Sequence, residues 1–209
     1  TYTMKQAINF LEDSQQLYNL LIDKSDEDFK IKTQFKNWTI NDVIGHLHIF
    51  NFAANLSLKS STEFELFFSP INLALKRGIS LLGVQNLWLN GLKGQALLDA
   101  WWKEVRAVSE SFKIIDPKLR LKWVGPDMSA RSSITARQME TWAHGQAIYD
   151  VLGIVRKNKD HIKNIAVLGN NTFKWCYTVH GKTIPSTVPH LRLISPSGEL
   201  WEFNDKSDE

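Results

Sequence analysis

The chain has 209 residues, 43% of them hydrophobic and 22% charged, which is long enough to bury a core and too apolar for a disordered segment. A formal net charge of only +3, from 25 basic and 22 acidic residues, is spread along the chain, and its longest basic cluster is Arg156-Lys157-Asn158-Lys159; this excludes an extended nucleic-acid-binding face. The single cysteine, Cys176, excludes an intrachain disulfide, and the most apolar stretch, Phe64 to Leu82, is interrupted by Pro70, Lys76, Arg77 and Gly78, short of the roughly 20 apolar residues that span a bilayer.

In chain order, Thr3 is placed to cap a first helix that turns Ala7, Ile8, Leu11, Leu17, Leu20 and Leu21 inward. These first residues already read as helix, so no signal peptide is expected; a start at Thr1 rather than Met implies that the true beginning is missing. Lys24 to Lys36 reads as a charged connection. Thr39 then caps a second helix, with Asp42 at the third helical position completing a variant capping box. This helix runs to about Leu58 with Ile40, Val43, Leu47, Phe50 and Ala54 as its apolar stripe.

Residues 62–90 are apolar but broken by Pro70, Gly78 and Gly83, and predict short helices within a long crossover. A third long helix is expected over Gly94 to Phe112, with Leu97, Leu98, Trp101, Val105 and Val108 inward and Pro117 beyond its end. Residues 118–131 read as a loop with a short extended piece. The fourth long helix is expected to start near Ser132 or Ser133 and to end at Leu152, with Gly153 after it.

These four segments predict a mainly α fold: an antiparallel four-helix bundle over residues 1–155. Residues 156–209 predict a small α/β C-terminal extension. In it, His161 to Trp175 is helical, Lys182 to Val188 is extended, and Leu191 to Ile194 and Leu200 to Phe203 flank the turn Ser195-Pro196-Ser197-Gly198. The tail from Asn204 to Glu209 is expected to be disordered.

The segment Arg137-Gln138-Met139-Glu140-Thr141-Trp142-Ala143-His144-Gly145 carries the informative chemistry. Helical spacing puts Arg137, Glu140 and His144 on one face, in line with the apolar Ile148 and Val151. An unpaired acid or imidazole at such a position is costly. His46 has the same peculiarity, lying between Val43 and Phe50 on the second helix, whereas His48 is rotated about 200° away. Two imidazoles and a carboxylate around a divalent cation would satisfy all three groups. The spacing alone leaves other readings open: a surface Glu–His hydrogen bond, a satisfied core histidine, or an Arg137–Glu140 ion pair. Cys176 reads as a buried, unreactive thiol, and His161, His180 and His190 lie at no ligand spacing.

The run from Trp38 to Leu47 resembles the motif that opens the second helix of the DinB-like metal-binding proteins, in the branch containing mycothiol-dependent maleylpyruvate isomerase. Arg137 to Gly153 is similar to that branch's second motif, Arg-x-x-Glu-x-x-x-His-Gly, and Trp123 to Ala130 resembles an uncharacterised bacterial subfamily. The resemblance implies a DinB-like bundle whose metal ligands are His46, Glu140 and His144. It implies further that the C-terminal extension is incomplete. Ala147 departs from the pattern, standing where the branch often has an aspartate.

The same resemblance implies an enzyme in which the ion activates a low-molecular-weight thiol for transfer to, or isomerisation of, a small electrophile. Arg137 would orient Glu140 or hold a substrate carboxylate. A metal-dependent hydrolase on the same ligands and a non-catalytic metal- or ligand-binding protein are the alternatives. Zinc suits the donor set, as do nickel and ferrous iron. The expected partners are a small-molecule substrate and a thiol, in the cytoplasm, without nucleic acid or membrane; the 64–90 segment would serve as a lid, a packed crossover or a homodimer surface.

Overall fold

The computed structural model describes residues 1–205. By internal packing the chain divides into two units, Thr1–Arg156 and Lys157–Glu209. The first unit contains, in order, α1 (Lys5–Leu21), α2 (Ile40–Lys59), α3 (Ser61–Lys76), α4 (Leu81–Leu89), α5 (Gly94–Lys113), β1 (Arg120–Leu121), β2 (Met128–Ser129) and α6 (Ala130–Val151). The fold is mainly α, with α1, α2, α5 and α6 as the four long helices of a bundle.

Side-chain hydrogen bonds between helices fix their directions. Gln95 Nε2 at the start of α5 donates to Leu21 O at 2.9 Å, and Ser109 Oγ near its end donates to Ala7 O at 3.1 Å. α1 and α5 therefore run antiparallel. Gly94 N donates to Asn41 Oδ1 at 2.8 Å, and Asn55 Nδ2 reaches Glu104 Oε1 at 3.4 Å, so α2 and α5 run parallel. α1 and α6 are parallel as well: Gln138 Nε2 donates to Asp13 Oδ2 at 3.0 Å, and Gly145 faces Leu17 one turn further along. The bundle thus consists of two parallel pairs set antiparallel to each other. A parallel pair forces its connection back along the bundle, and α3 and α4 make that return.

The bundle core holds Phe10, Leu17, Leu21, Ile44, Leu47, Leu98, Trp101 and Phe112, each at most 1% exposed. α2 is buried beyond its expected stripe, with Ile44, His48, Ile49, Asn51 and Asn55 also inside. The crossover covers the face that a bundle helix would otherwise show to water.

Several expectations are corrected. Met4, not Thr3, precedes α1 and supplies no side-chain cap; its amide donates instead to Lys113 O at 2.7 Å. Ala7, Leu17 and Leu21 are inward as expected, but Ile8 is 37% exposed and Phe10, not expected inside, is wholly buried. α6 starts two to three residues early, because Ser129, at the end of β2, is the residue whose hydroxyl accepts from Ser132 N. α3 runs through Pro70, which cannot donate to the Leu66 carbonyl; Leu66 is 71% exposed.

In the second unit a 3-10 turn, Asp160–Ile162, leads into α7 (Lys163–Asn171) and α8 (Phe173–Val179), followed by the antiparallel hairpin β3 (Leu191–Ile194) and β4 (Leu200–Phe203). The hairpin pairs Leu191 with Phe203 and Ile194 with Leu200, and its turn uses Gly198 at φ 95°. Residues 182–188 form no strand. Cys176 is exposed, since α8 buries none of its residues. Of the expected disordered tail, Asn204 is held by Nδ2 bonds to Asn170 Oδ1 (2.8 Å) and Pro189 O (3.1 Å); residues 206–209 lie outside the described residues.

Candidate metal centre

α2 starts where the capping box requires. Thr39 Oγ1 accepts from Asp42 N at 3.1 Å, and Asp42 Oδ2 accepts from Thr39 N at 2.9 Å. This fixes the phase of the helix two turns before His46. The preceding turn is closed by Thr33 Oγ1 and Thr33 N, which both donate to Trp38 O at 2.8 and 2.7 Å. It delivers two rings to the site: Phe35 meets His144 edge-on at 5.1 Å, and Trp38 meets His46 at 5.4 Å.

The structure brings His46, Glu140 and His144 together. Each offers one ligand atom, and these atoms all lie within 4.8 Å of one another. Glu140 Oε2 is 2.8 Å from His144 Nε2 and 3.5 Å from His46 Nε2. Around a tetrahedral cation with bonds of about 2.0–2.1 Å, donor atoms sit about 3.3 Å apart, so the observed separations straddle what an ion needs. Neutral imidazole nitrogen and carboxylate oxygen are suitable donors for a divalent metal. The set fits such an ion.

Electrostatics supports an ionised Glu140. Burial by itself would raise its carboxyl, but the contact with His144, the contact with His46 and the Arg137 charge outweigh it and hold the group well below the usual carboxylate range. Arg137 lies one turn before Glu140, as expected, and is only 4% exposed. Its guanidinium rests 4.8 Å over the Trp123 ring, and Nε has no hydrogen-bond partner among the described residues. Burial lowers its pKa to about 10 while the Glu140 charge opposes that shift, and it remains a cation at neutral pH. Trp123, from the loop between β1 and β2, also stacks on Phe64 at 5.9 Å and meets Phe50 at 6.3 Å. These rings form an apolar wall on the Arg137 side of the three donors.

Sequence reasoning missed one polar group here. Gln85 of α4 places Oε1 2.7 Å from His46 Nδ1. The signal available was a polar amide beside Leu81, Leu82 and Val84, in a helix whose other polar side chain is Asn86. His48 faces away from His46, as the 200° rotation requires, but packs against Trp88 at 5.2 Å instead of meeting solvent. A cavity of about 300 Å³, lined by residues including Thr39, Asn41, Asp42, Asn86 and Lys93, contains none of the three donors.

Residues 10–149 match the model of the mycothiol maleylpyruvate isomerase N-terminal domain. The chain belongs to this family. Two uncharacterised proteins of Mycobacterium tuberculosis, from strains CDC 1551 / Oshkosh and ATCC 25618 / H37Rv, are 30% identical over 171 residues, 82% of this chain and 65% of each relative. The match thus spans somewhat less than two thirds of those relatives. Among solved structures, the mycothiol-dependent maleylpyruvate isomerase superposes with a TM-score of 0.60 at 14% identity, covering 94% of this chain and 78% of that one. A histidine-to-alanine variant of that isomerase gives 0.59 at 15%, with the same coverage. At these identities the superpositions establish the shared fold.

Among the described residues, no helix is long and apolar enough to cross a membrane.

Proposed function

We propose that the protein is a metal-dependent enzyme in which His46, Glu140 and His144 hold a divalent ion, zinc by preference, for the activation of a low-molecular-weight thiol toward a small electrophile. The observation that carries this reading is the convergence of two imidazoles and an ionised carboxylate from two helices, with all three ligand atoms within 4.8 Å. Bound there, a divalent cation supplies a thiolate at neutral pH by lowering the pKa of a coordinated thiol.

The chain's own residues do the rest. Glu140 contributes the negative charge that two neutral imidazoles lack. Arg137 adds to the contacts with His144 and His46 that keep that carboxylate ionised and, having no hydrogen-bonded partner at Nε among the described residues, is available to position an anionic group of a substrate. Phe35, Trp38 and Trp123 exclude water from the side of the site they line, which strengthens every charge interaction within it. Mycothiol and maleylpyruvate, named in the solved relative, are the first thiol and electrophile to test.

The decisive measurement is elemental analysis of untagged protein beside its His144→Ala variant, followed by turnover of an electrophile panel with and without thiol. The reading expects about one metal per chain, lost in the variant, and turnover that needs both metal and thiol. Metal-free parent protein would refute the centre; thiol-independent hydrolysis would replace the transferase reading with hydrolysis by a bound water.

A further inference from the structure

Gln85 is a further polar residue at this centre, contributed by the crossover rather than by the two motif-bearing helices. It is wholly buried, and its Oε1 lies 2.7 Å from His46 Nδ1. A neutral imidazole carries its proton on one nitrogen and a lone pair on the other. A carbonyl oxygen against Nδ1 requires the proton there. The Nε2 lone pair is thereby left directed at Glu140 Oε2, 3.5 Å away. A divalent cation between two such electron-rich atoms would relieve that arrangement.

The backbone is shaped for this contact. α4 comes down onto α2 at Gly45, where a Cβ would meet Leu89 Cδ1 at 2.6 Å. Gly45 adjoins His46, and Leu89 lies one turn beyond Gln85 on the same face of α4. Gly45 thus lies against the α4 side chain one turn from Gln85. A buried amide costs free energy unless it is hydrogen-bonded, and Gln85 Nε2 has no partner among the described residues. The bond to His46 is the compensation the structure offers.

We propose that Gln85 is a positioning residue that selects the Nδ1–H tautomer of His46, presents Nε2 as a metal ligand, and so makes the α3–α4 crossover part of the metal centre. This role rests on the proposed metal centre. Outer partners of metal-bound histidines typically change metal affinity by about 10- to 100-fold when removed.

The test uses the full chain with ¹⁵N-labelled histidine. In metal-stripped protein, two-bond ¹H–¹⁵N spectra report directly which ring nitrogen of His46 carries the proton. The expected result is protonated Nδ1 in the parent and in Gln85→Glu, which keeps an acceptor, and a shift toward protonated Nε2 in Gln85→Leu. Zn²⁺ affinity measured by chelator competition should fall about 10- to 100-fold in Q85L and be retained in Q85E, with thermal melting confirming that each variant folds. If Q85L does not fold, the parent and Q85E spectra still decide, because protonated Nε2 in the parent overturns the proposal. A parent that takes up no Zn²⁺ sinks the metal centre itself. A parent that binds Zn²⁺, with Q85L binding equally tightly in the same tautomer, sinks only the role of Gln85.

Discussion

His48 lies two residues from His46 on α2, yet its environment is the opposite. Buried against Trp88 with Nδ1 unpartnered among the described residues, it is held by burial at a pKa of about 4, down from 6.5. The folded state thus refuses a proton that the unfolded chain accepts between those values. Stability is therefore at its full value above about pH 6.5 and declines as pH falls toward 4, by about 3 kcal/mol for a shift of this size. His48→Gln, neutral at every pH, should remove most of that slope when urea unfolding of metal-free protein is compared at about pH 7 and about pH 4.5. An unchanged slope would mean that His48 is not buried as the neutral form. For Glu140 the direction differs, because its carboxyl is depressed: its contribution is present above the ordinary carboxylate range and is lost as pH falls below it. Position along the helix distinguished His46 from His48 in direction, but not in burial. The covering ring of Trp88 comes from a different element, and no periodicity within α2 reports it.

At the scale of elements, α2 matters most, since its phase decides where His46 points. The Thr39–Asp42 capping box was legible as a local pattern because both hydrogen bonds it makes are local. Thr39→Ala should lower the unfolding free energy by about 1 kcal/mol, measured by urea denaturation. A negligible loss would show that Asp42 and the Thr33–Trp38 turn suffice to start the helix. α6 shows the limit of the same reasoning. Read from the sequence, the start falls near Ser132 or Ser133. The chain uses Ser129 because pairing of β1 with β2 keeps it extended to that residue, and Ala130 N then bonds Leu119 O at 2.7 Å. That pairing spans the Trp123 loop and lies beyond the reach of a helix-capping rule. Pro70 misleads in the other direction: as a local breaker it argues for a helix end, but α3 continues through it, the residue whose carbonyl loses its donor, Leu66, being exposed.

At the scale of the whole molecule, every residue of the main hydrophobic core lies between Met4 and Ile148. His46, Gln85, Arg137, Glu140 and His144 fall within the same unit, Thr1–Arg156. A fragment of residues 1–156 is therefore expected to unfold cooperatively and to bind Zn²⁺ with the stoichiometry of the full chain, checked by circular dichroism and elemental analysis. Loss of either property would show that the C-terminal segment contributes to the fold or to the centre. By itself the sequence determined which segments are helices, how α2 begins, and that His46, Glu140 and His144 occupy inward positions. Each of these is a consequence of 3.6-residue periodicity or of a hydrogen bond spanning three residues. Only the tertiary structure decided that the two ligand-bearing helices face each other, that α2 runs parallel to α5, and that Gln85, 39 residues away, reaches His46. Those outcomes depend on how whole helices pack against one another, which local spacing does not encode.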